Sequence, residues 1–326
     1  MKDIYTLSDL QNWSDATAGE QPPLRLAVCG DPVAHSASPP MHNAALEHCK
    51  IDARYCRLHI RANELEAALR LLSRENFIGT NITLPHKAAA LSLMDEVDEH
   101  ARKIGVVNTV VVSKESRDAS GESRGKLIGF NTDGPGFVRA IRAEFGVDVR
   151  DLRVMILGAG GGAGRAIATQ CVIENCERLV LVNRTLEKAQ ALAVELSPML
   201  KKPRLFGPVP PLEAVAWENE MLARALQNID LVVNATPIGM SKSPNEIQPR
   251  TSPLPASILR PHLMVFDTIY TAPRTSFMLA ADEAGARSAN GASMLLFQGA
   301  LAFEIWFGRE APLDVMRDAL RKNGIS

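Results

Sequence analysis

Apolar residues in this chain fall into short runs that alternate with amphipathic stretches. A short apolar run bounded by turn residues predicts a buried strand, and apolar residues at helical spacing predict a helix. In the first half the pattern predicts strands at 24–30, 55–60, 80–84, 106–112 and 126–130, and helices at 39–49, 63–74 and 87–94, with a second helical stretch ending at 102. The first twenty residues show no period, so we expect a mobile arm or one peripheral helix.

A second series of strands and helices begins at residue 153. It predicts strands at 153–158, 178–183, 230–236 and 263–270, a short segment at 287–290, a helix ending near 174, and helices at 185–196, 276–284, 293–307 and 312–322. The polar stretch 113–125 and the proline-rich stretches 207–212 and 252–261 are interpreted as loops. Strands and helices in this alternation are typical of parallel sheets covered by helices, so we predict an α/β protein.

The size and charge of the chain limit its class and its partners. A chain of 326 residues exceeds what one hydrophobic core usually supports, so two domains are expected. The net charge is −1 and no long basic run occurs, so we expect a small-molecule partner and no nucleic acid. No apolar run is long enough to span a bilayer, and the N-terminus lacks a signal-peptide pattern, so no membrane association is expected.

Cysteine and histidine usage indicates the compartment and the metal content. The five cysteines are odd in number and form no CxxC pair. This usage is typical of free thiols in a reducing compartment, so we expect a cytoplasmic protein without a disulfide frame or a zinc site. His35 and His42 flank a serine-rich motif, but no third ligand stands at a suitable spacing, so no metal site is predicted.

A glycine-rich turn, GAGGGAG at 158–164, follows a predicted strand and opens a predicted helix. Gly158, Gly160 and Ala163 match the G-x-G-x-x-A pattern of dinucleotide-binding turns. Glycine permits the tight turn and lets backbone N–H groups approach a pyrophosphate at the positive end of a helix. The predicted phosphate-binding residues are Gly158, Ala159, Gly160, Gly161, Gly162 and Ala163. The alternative is a glycine-rich turn that binds nothing.

The end of the next strand indicates which dinucleotide binds. NAD sites usually place an aspartate or glutamate there to accept the ribose 2′-hydroxyl. This chain has Asn183, Arg184 and Thr185 instead, with Lys188 one turn into the following helix. A carboxylate would repel a 2′-phosphate, whereas guanidinium and ammonium groups would attract it. The pattern favours NADP over NAD, against the alternative that Arg184 and Lys188 are ordinary surface cations.

Polar residues upstream of this predicted cofactor domain cluster at segment ends. They are Ser36 and Ser38, Asn81 and Thr83 followed by Lys87, Asn108 and Thr109, and Asn131, Thr132 and Asp133. Some have a structural explanation, because Ser38 before Pro39, and Thr132 or Asp133 before a helix, fit the N-cap position. Together they suit a small polyhydroxylated ligand with a carboxylate, since open α/β sheets bind ligands at the carboxyl ends of strands.

A series of motifs between about residues 25 and 310 resembles, in order and spacing, the shikimate dehydrogenase family. The motifs are GDPVAHSASP at 30–39, NITLPHK at 81–87, GVVNT at 105–109, GFNTDG at 129–134, the glycine turn, NRT at 183–185, NATPIGM at 234–240, DTIY at 267–270, and 291–299 with Gln298. The resemblance implies NADP-linked reversible reduction of 3-dehydroshikimate to shikimate, a step in aromatic amino acid biosynthesis. It also implies an N-terminal α/β substrate domain with a mainly parallel sheet, a Rossmann-like NADP-binding domain and a cleft between them.

The resemblance also implies domain limits and residue roles. The substrate domain would comprise 1–131 and the returning C-terminal helices at 293–326, and the NADP domain 132–292. Lys87 and Asp133 would form the catalytic acid–base pair, which suits the chemistry because an ammonium can stabilise and protonate the alkoxide formed by hydride delivery to a ketone. Ser36 and Ser38 would hold the substrate carboxylate with help from Tyr270, while Asn81, Thr83, Asn108 and Gln298 would address the ring hydroxyls. Thr236, Met240, Thr268 and Gly291 would complete the cofactor site.

The chain departs from the family pattern at two positions near the cofactor. The glycine turn carries one more small residue than usual, which leaves its register against the phosphates open, and Lys188 stands where many relatives carry arginine. Two other functions stay open: a quinate/shikimate dehydrogenase that uses NAD or both cofactors, and a non-catalytic NADP-binding regulator. The presence of both Lys87 and Asp133 argues against the regulator, since a sensor needs no acid–base pair. The sequence leaves a homodimer open.

Overall fold

Buried strands form two separate sheets in a computed structural model of the chain. The structure describes residues 2–113, 116–117, 123–200, 210–240 and 251–325, with the backbone alone at 116, 117 and 123. The chain divides into two compact units: Met1–Thr132 with Gln298–Asn323, and Asp133–Phe297 with Gly324–Ser326. Both sheets are mostly parallel and carry helices in the connections, so the predicted α/β class is confirmed.

The first unit is built around a seven-stranded mixed sheet. Its strands are β1 (Ile4–Thr6), β2 (Leu24–Gly30), β3 (Arg54–His59), β4 (Gly79–Ile82), β5 (Glu96–Val97), β6 (Thr109–Val112) and β9 (Leu127–Phe130), and a separate two-stranded ladder joins β7 (Ser116–Arg117) to β8 (Ser123–Arg124). The helices before residue 132 are α1 (Leu7–Gln11), α2 (Trp13–Ala16), α3 (Ser38–His48), α4 (Leu65–Leu72), α5 (Lys87–Leu91) and α6 (Glu99–Ile104). The strand order is β1-β3-β2-β4-β6-β9-β5, and β6 alone runs antiparallel to both of its neighbours.

The second unit contains a six-stranded sheet in which every pair is parallel. Its strands are β10 (Arg153–Leu157), β11 (Arg178–Val182), β12 (Leu212–Val215), β13 (Leu231–Asn234), β14 (Met264–Asp267) and β15 (Arg287–Ala289), in the order β12-β11-β10-β13-β14-β15. Its helices are α7 (Asp133–Phe145), α8 (Gly162–Ile173), α9 (Leu186–Leu196), α10 (Asn219–Ala225) and α11 (Ser276–Glu283). The helix α12 (Ala292–Phe307) starts in this unit, but most of it and all of α13 (Leu313–Lys322) belong to the first unit, where α13 packs on α3.

Burial on both faces explains why strands of the second sheet are continuously apolar. Alternate residues of β10 enter two different clusters: Val154 and Ile156 belong to one, Met155 and Leu157 to the other. Because helices cover both faces of a parallel sheet, the central strands are buried on both sides and lose the alternation of polar and apolar residues. All five residues of β11 are buried for the same reason.

The expectation of a mobile arm or one peripheral helix at the N-terminus was wrong. The segment contributes β1, which pairs in parallel with β3 at the edge of the first sheet, followed by two short helices. Tyr5, Leu10 and Trp13 are buried, and the Trp13 ring lies 5.1 Å from Tyr5 and 5.2 Å from Phe77. Three large side chains therefore anchor the segment on the first unit.

Several element boundaries also differ from the predictions. The helix expected from Asn63 begins at Leu65, because Ala62–Glu64 forms a 3-10 turn in which the Glu64 carboxylate accepts the Arg61 N–H at 2.8 Å. The helix expected at 87–94 ends at Leu91. The strand β12 and the helix α10 were not predicted. The predicted loop 113–125 contains the β7–β8 ladder, while 114–115 and 118–122, like 207–209, lie outside the described residues. None of the described helices combines the length and apolar character that crossing a bilayer requires.

Candidate active site

The serine motif forms a turn between β2 and α3. Ser38 was a candidate N-cap, but α3 begins at Ser38 itself and the N-cap position is Ala37. The backbone N–H of Ser38 donates to the Ser36 hydroxyl at 3.3 Å. The Arg57 guanidinium on β3 donates to the Ser36 carbonyl through Nε at 3.2 Å and a terminal nitrogen at 2.7 Å. The turn that carries both hydroxyls is therefore fixed by a cation on the neighbouring strand.

Asn81 lies at the centre of a buried polar network in the first unit. Its Oδ1 accepts the Tyr55 hydroxyl at 2.7 Å. Its Nδ2 donates to the Asn108 carbonyl at 3.2 Å and to the Thr109 hydroxyl at 3.0 Å. Because an amide group has two hydrogens, both donors of Asn81 are used within the protein. The side chain can offer a ligand only the remaining acceptor capacity of its oxygen.

The network continues from Asn108 to the residues that follow β9. The Asn108 Nδ2 donates to the Thr132 hydroxyl at 2.9 Å, and its Oδ1 accepts the Thr132 N–H at 2.8 Å. Asn131 donates through Nδ2 to the Val106 carbonyl at 3.0 Å. Since β6 runs antiparallel to β4 and β9, its start meets the carboxyl ends of both neighbours at one edge. The predicted residues Asn81 and Asn108 are thus brought together there.

Lys87 is held close to this edge through its backbone. It begins α5, is half-buried, and its carbonyl accepts the Val107 N–H at 3.0 Å. The preceding His86 is buried, and its ring Nε2 lies 2.6 Å from the Ile60 carbonyl. Thr83 packs its methyl group against Gly30, where a β-carbon would collide with it. The segment predicted to carry Thr83 and Lys87 is therefore packed on the ends of β2 and β6.

The other residues expected at the substrate site lie on different elements. Asp133 is buried and is the first residue of α7, where the second unit begins. Tyr270 follows β14 in the second unit, and Gln298 lies on α12 where the chain returns to the first unit. Both Tyr270 and Gln298 are half-buried.

Tyr55 and His42 are buried beside residues predicted to bind substrate. No motif in the sequence indicates a role for Tyr55, and His42 is considered there only as a metal ligand. Tyr55 donates to Asn81, and its hydroxyl also interacts with Ser38; burial raises the pKa of this phenol well above its ordinary value. The His42 ring stacks on Tyr55 at 4.6 Å and lies 5.3 Å from Trp306. Burial lowers the pKa of His42 to about 3, so the ring is neutral. Within the described part of the chain, no group of histidine, cysteine and acidic residues could hold a metal ion.

The glycine turn in the second unit has one feature that changes its expected register. Gly158 has a φ of +84°, and its N–H donates to the Val182 carbonyl at 2.8 Å. Ala163 was predicted as the third position of the pattern, which packs closest to the strand. The structure places Gly164 there instead, because a β-carbon at Gly164 would collide with the Gly158 carbonyl. The extra residue therefore lies in the exposed part of the turn, which includes Gly160 and Gly161.

The residues expected to read the 2′-phosphate lie beside this turn. The Asn183 Oδ1 accepts the Gly160 N–H at 3.3 Å, and its Nδ2 donates to the Thr185 carbonyl at 2.9 Å. The β-carbon of Lys188 lies 3.0 Å from the point where a β-carbon on Gly160 would be. Arg184 and Lys188 are exposed, and neither makes an ion pair with another described residue. Two exposed cations thus follow β11, and residues 183–185 include no acidic side chain.

Residues beyond β13 and β14 form the other part of the predicted cofactor site. Asn234 accepts through Oδ1 from the Thr236 hydroxyl at 2.7 Å and from the Thr236 N–H at 3.1 Å. The Thr236 methyl group lies 2.5 Å from the position that a β-carbon on Gly158 would take. Gly291 is pressed against the Thr268 carbonyl, where no side chain would fit. The half-buried Met240 lies in the loop that follows β13, with its N–H bonded to the Pro237 carbonyl.

Asp267, at the end of β14, is fully buried beside Asn234. Its Oδ1 accepts from the Asn234 Nδ2 at 2.9 Å and from the Ile269 N–H at 3.1 Å. Its Oδ2 makes no hydrogen bond of good geometry with a described residue, although the nearby Thr275 hydroxyl favours the charged form. Burial outweighs these groups and raises the pKa of the Asp267 carboxyl to about 6.

The all-parallel sheet, the glycine turn and the cations beyond β11 define the class of this protein, a two-unit α/β protein with a Rossmann-like dinucleotide-binding unit. The family models for the shikimate dehydrogenase substrate binding domain, for shikimate / quinate 5-dehydrogenase and for the shikimate 5′-dehydrogenase C-terminal domain match residues 28–110, 140–245 and 291–321. The chain belongs to the shikimate dehydrogenase family.

Individual relatives support this assignment over most of the chain. The sequence is 41% identical over 296 residues to the shikimate dehydrogenase (NADP(+)) of Methanopyrus kandleri, covering 90% of this chain and 94% of the relative. The crystal structure of shikimate 5-dehydrogenase from Thermus thermophilus in complex with NADP(H) and shikimate has a TM-score of 0.74 and 36% identity, with 92% and 99% of the two chains covered. Quinate dehydrogenase from Corynebacterium glutamicum in complex with NAD has a TM-score of 0.74 and 28% identity, with 92% and 99% covered.

Because the Asp267 carboxyl is buried, we expect it to make the free energy of unfolding depend on pH. Asp267→Asn should remove this contribution. The folded-state pKa of about 6 lies above the ordinary value of 3.8, so the favourable contribution is full below pH 3.8 and is lost as the pH rises through 6. The complete loss corresponds to about 3 kcal/mol. Urea unfolding at about pH 5 and about pH 8 measures it, and the stability of the variant relative to wild type should rise by about 1.5 kcal/mol between them. A difference independent of pH would contradict the assignment.

Proposed function

We propose that this protein is an NADP-dependent shikimate dehydrogenase that reversibly reduces 3-dehydroshikimate to shikimate. The observation that carries the proposal is the buried network at the carboxyl edge of the first sheet, where hydroxyl and amide groups of the family motifs converge. Such groups suit a small ligand with several hydroxyls. The Methanopyrus kandleri relative is a shikimate dehydrogenase (NADP(+)), and the Thermus thermophilus structure contains shikimate. In this function the protein provides a step of aromatic amino acid biosynthesis.

The cofactor proposal is supported by the fit of the glycine turn to a pyrophosphate. Gly158, Ala159, Gly160, Gly161, Gly162 and Ala163 would face the phosphates, and Asn183, Arg184, Thr185 and Lys188 would meet the adenosine end. The exposed Gly160 and Gly161 have no side chain to block the approach of a phosphate to their backbone. Thr236, Met240, Thr268 and Gly291 would border the nicotinamide. Bound NADPH supplies the hydride that reduces the ketone.

Lys87 and Asp133 are proposed as the acid–base pair for the proton that accompanies this hydride. The Lys87 ammonium would donate a proton to the developing alkoxide oxygen, so that the ketone becomes a secondary alcohol. Asp133 would orient the Lys87 ammonium, because a carboxylate attracts a positively charged group. In the reverse direction neutral Lys87 would accept the proton of the alcohol.

The remaining polar side chains would bind and orient the substrate. Ser36 and Ser38 would donate to its carboxylate, with Tyr270 assisting and the Arg57 cation holding the serine turn. Thr83, Asn108 and Gln298 would address the ring hydroxyls. Asn81 is restricted to accepting a hydrogen bond, since its amide hydrogens are already used. We also propose that 1–131 with 293–326 is the substrate domain and 132–292 the NADP domain.

The location and assembly of the protein are part of the same proposal. A cytoplasmic location is supported by five cysteines that are all free thiols. A homodimer is the assembly to be tested by light scattering.

A quinate/shikimate dehydrogenase that uses NAD is the second candidate, favoured by the likeness to the NAD-bound quinate dehydrogenase. Initial rates with shikimate and quinate, each against NADP and NAD, separate the two. We expect the shikimate–NADP pair to have the highest kcat/KM. A preference for quinate or NAD would support the second candidate, and no turnover with any of the four pairs would contradict both.

Replacing Lys87 should remove the general acid–base step without affecting the fold. We expect Lys87→Ala to lower kcat by about a hundredfold or more, the usual effect of losing such a group. The matched control is Lys103→Ala, because Lys103 is an exposed lysine on α6 that pairs with Glu99. The control should turn over at the wild-type rate. A near-normal kcat for Lys87→Ala would show that another group transfers the proton.

Replacing Arg184 should weaken the discrimination between the two dinucleotides. We expect Arg184→Gln to raise KM for NADP about tenfold and to leave KM for NAD nearly unchanged, since only NADP carries the 2′-phosphate. Arg224→Gln is the control, because Arg224 is an exposed arginine of the same unit that pairs with Glu220 on α10. Equal effects of Arg184→Gln on both cofactors would mean that other residues recognise the 2′-phosphate.

A further inference from the structure

The buried carboxylate of Asp267 has no part in the chemistry described so far, although it is costly to keep. When a fully buried carboxyl with a raised pKa ionises at neutral pH, the folded protein loses stability. An asparagine at this position would have a similar shape and no charge. The carboxylate lies where β13 and β14 lead into the predicted cofactor loops.

Two separate loops bond to the same carboxylate oxygen. The loop after β13 is connected through the Asn234 Nδ2, and the loop after β14 through the Ile269 N–H. A charged acceptor strengthens both hydrogen bonds relative to a neutral one. The Asp267 carboxylate therefore joins the starts of the two loops directly.

Each of the two connections leads directly to a residue of the proposed cofactor site. Asn234 holds Thr236 by two hydrogen bonds to its Oδ1, and Thr236 packs on Gly158 of the glycine turn. On the other side, the Ile269 carbonyl accepts the Gly291 N–H at 3.0 Å. Thr268 lies between Asp267 and Ile269 in the chain and contacts Gly291.

We propose that Asp267 is a positioning residue for the nicotinamide end of the cofactor: it clamps the loops that carry Thr236, Thr268 and Gly291 against each other. This inference rests on the proposed function, because it assigns these loops to NADP. Asp267 touches neither substrate nor cofactor in this proposal and acts through Asn234 and the Ile269 N–H. The adenosine end of the cofactor, at Arg184 and Lys188, does not depend on the clamp.

The test compares two ligands on three variants, with binding measured by calorimetry. The ligands are NADPH and 2′-phospho-ADP-ribose, which lacks the nicotinamide. For Asp267→Ala we expect the Kd of NADPH to rise about tenfold or more, the cost of losing the hydrogen bonds that order the loops. The Kd of 2′-phospho-ADP-ribose should stay near the wild-type value. Asp267→Asn keeps an acceptor oxygen for both loops but loses the charge, so it should restore part of the NADPH affinity.

The matched control is Asp230→Ala, at the opposite, amino-terminal end of β13 in the same sheet. Asp230 precedes β13 and binds Arg153 through its side chain at 2.6 and 2.9 Å. Its loss should lower stability and leave both dissociation constants near the wild-type values. Should Asp267→Ala fail to fold, Asp267→Ser, with one short acceptor, replaces it and the same results are expected.

Three results would overturn the inference. They are an unchanged NADPH affinity for Asp267→Ala, an equal loss of affinity for both ligands, and a loss of NADPH affinity in Asp230→Ala as large as in Asp267→Ala. Failure of the proposed function is distinguishable from these, because the wild-type protein itself would then bind neither NADPH nor 2′-phospho-ADP-ribose.

Discussion

Each sheet depends on a buried asparagine near the end of one strand. Its side-chain amide donates to residues at the adjacent end of the neighbouring strand. In the first unit Asn81 on β4 donates to Asn108 and Thr109 at the start of β6. In the second unit Asn234 on β13 donates to Asp267 on β14. A buried amide that left a donor or acceptor unpaired would cost about 1–3 kcal/mol. The need to satisfy both ends of the amide therefore determines where the adjacent loops leave the sheet.

The two networks differ in charge, and this difference separates stability from function. The described partners of Asn81 are neutral hydroxyl and carbonyl groups, so the first network can be satisfied at any pH. The second contains a carboxylate that burial disfavours. Ionised Asp267 lowers stability at neutral pH while it strengthens the bonds to both cofactor loops. Such a conflict between stability and local order is common where a site must be held in one geometry.

The sequence predicts the parts of this fold that depend on periodicity and on short motifs. The strand–glycine turn–helix at 153–174 could be predicted because buried parallel strands and glycine turns have local signals. The N-terminal strand could not, since its burial depends on Tyr5 packing on Trp13 and on Trp13 meeting the distant Phe77. The edge strand β12 likewise has a weak sequence pattern, because three of its four residues are only half-buried.

The same limit applies to the candidate site. The motif residues Asn81 and Asn108 could be selected from the sequence, but the exhausted donors of Asn81 are a property of its three-dimensional partners. Tyr55 carries no motif signal, because a tyrosine in an apolar strand is usually explained by the core. Asp267 was part of a motif without a role, and only its contact with Asn234 across the parallel pair of β13 and β14 suggests one.

The extra residue of the glycine turn shows how packing resolves what a pattern leaves open. The sequence alone allowed the third position to be Ala163 or its neighbour. The collision that a side chain at Gly164 would have with the Gly158 carbonyl selects Gly164, because the helix must approach the strand at one point only. The inserted residue is then forced into the exposed turn beside Asn183 and Lys188.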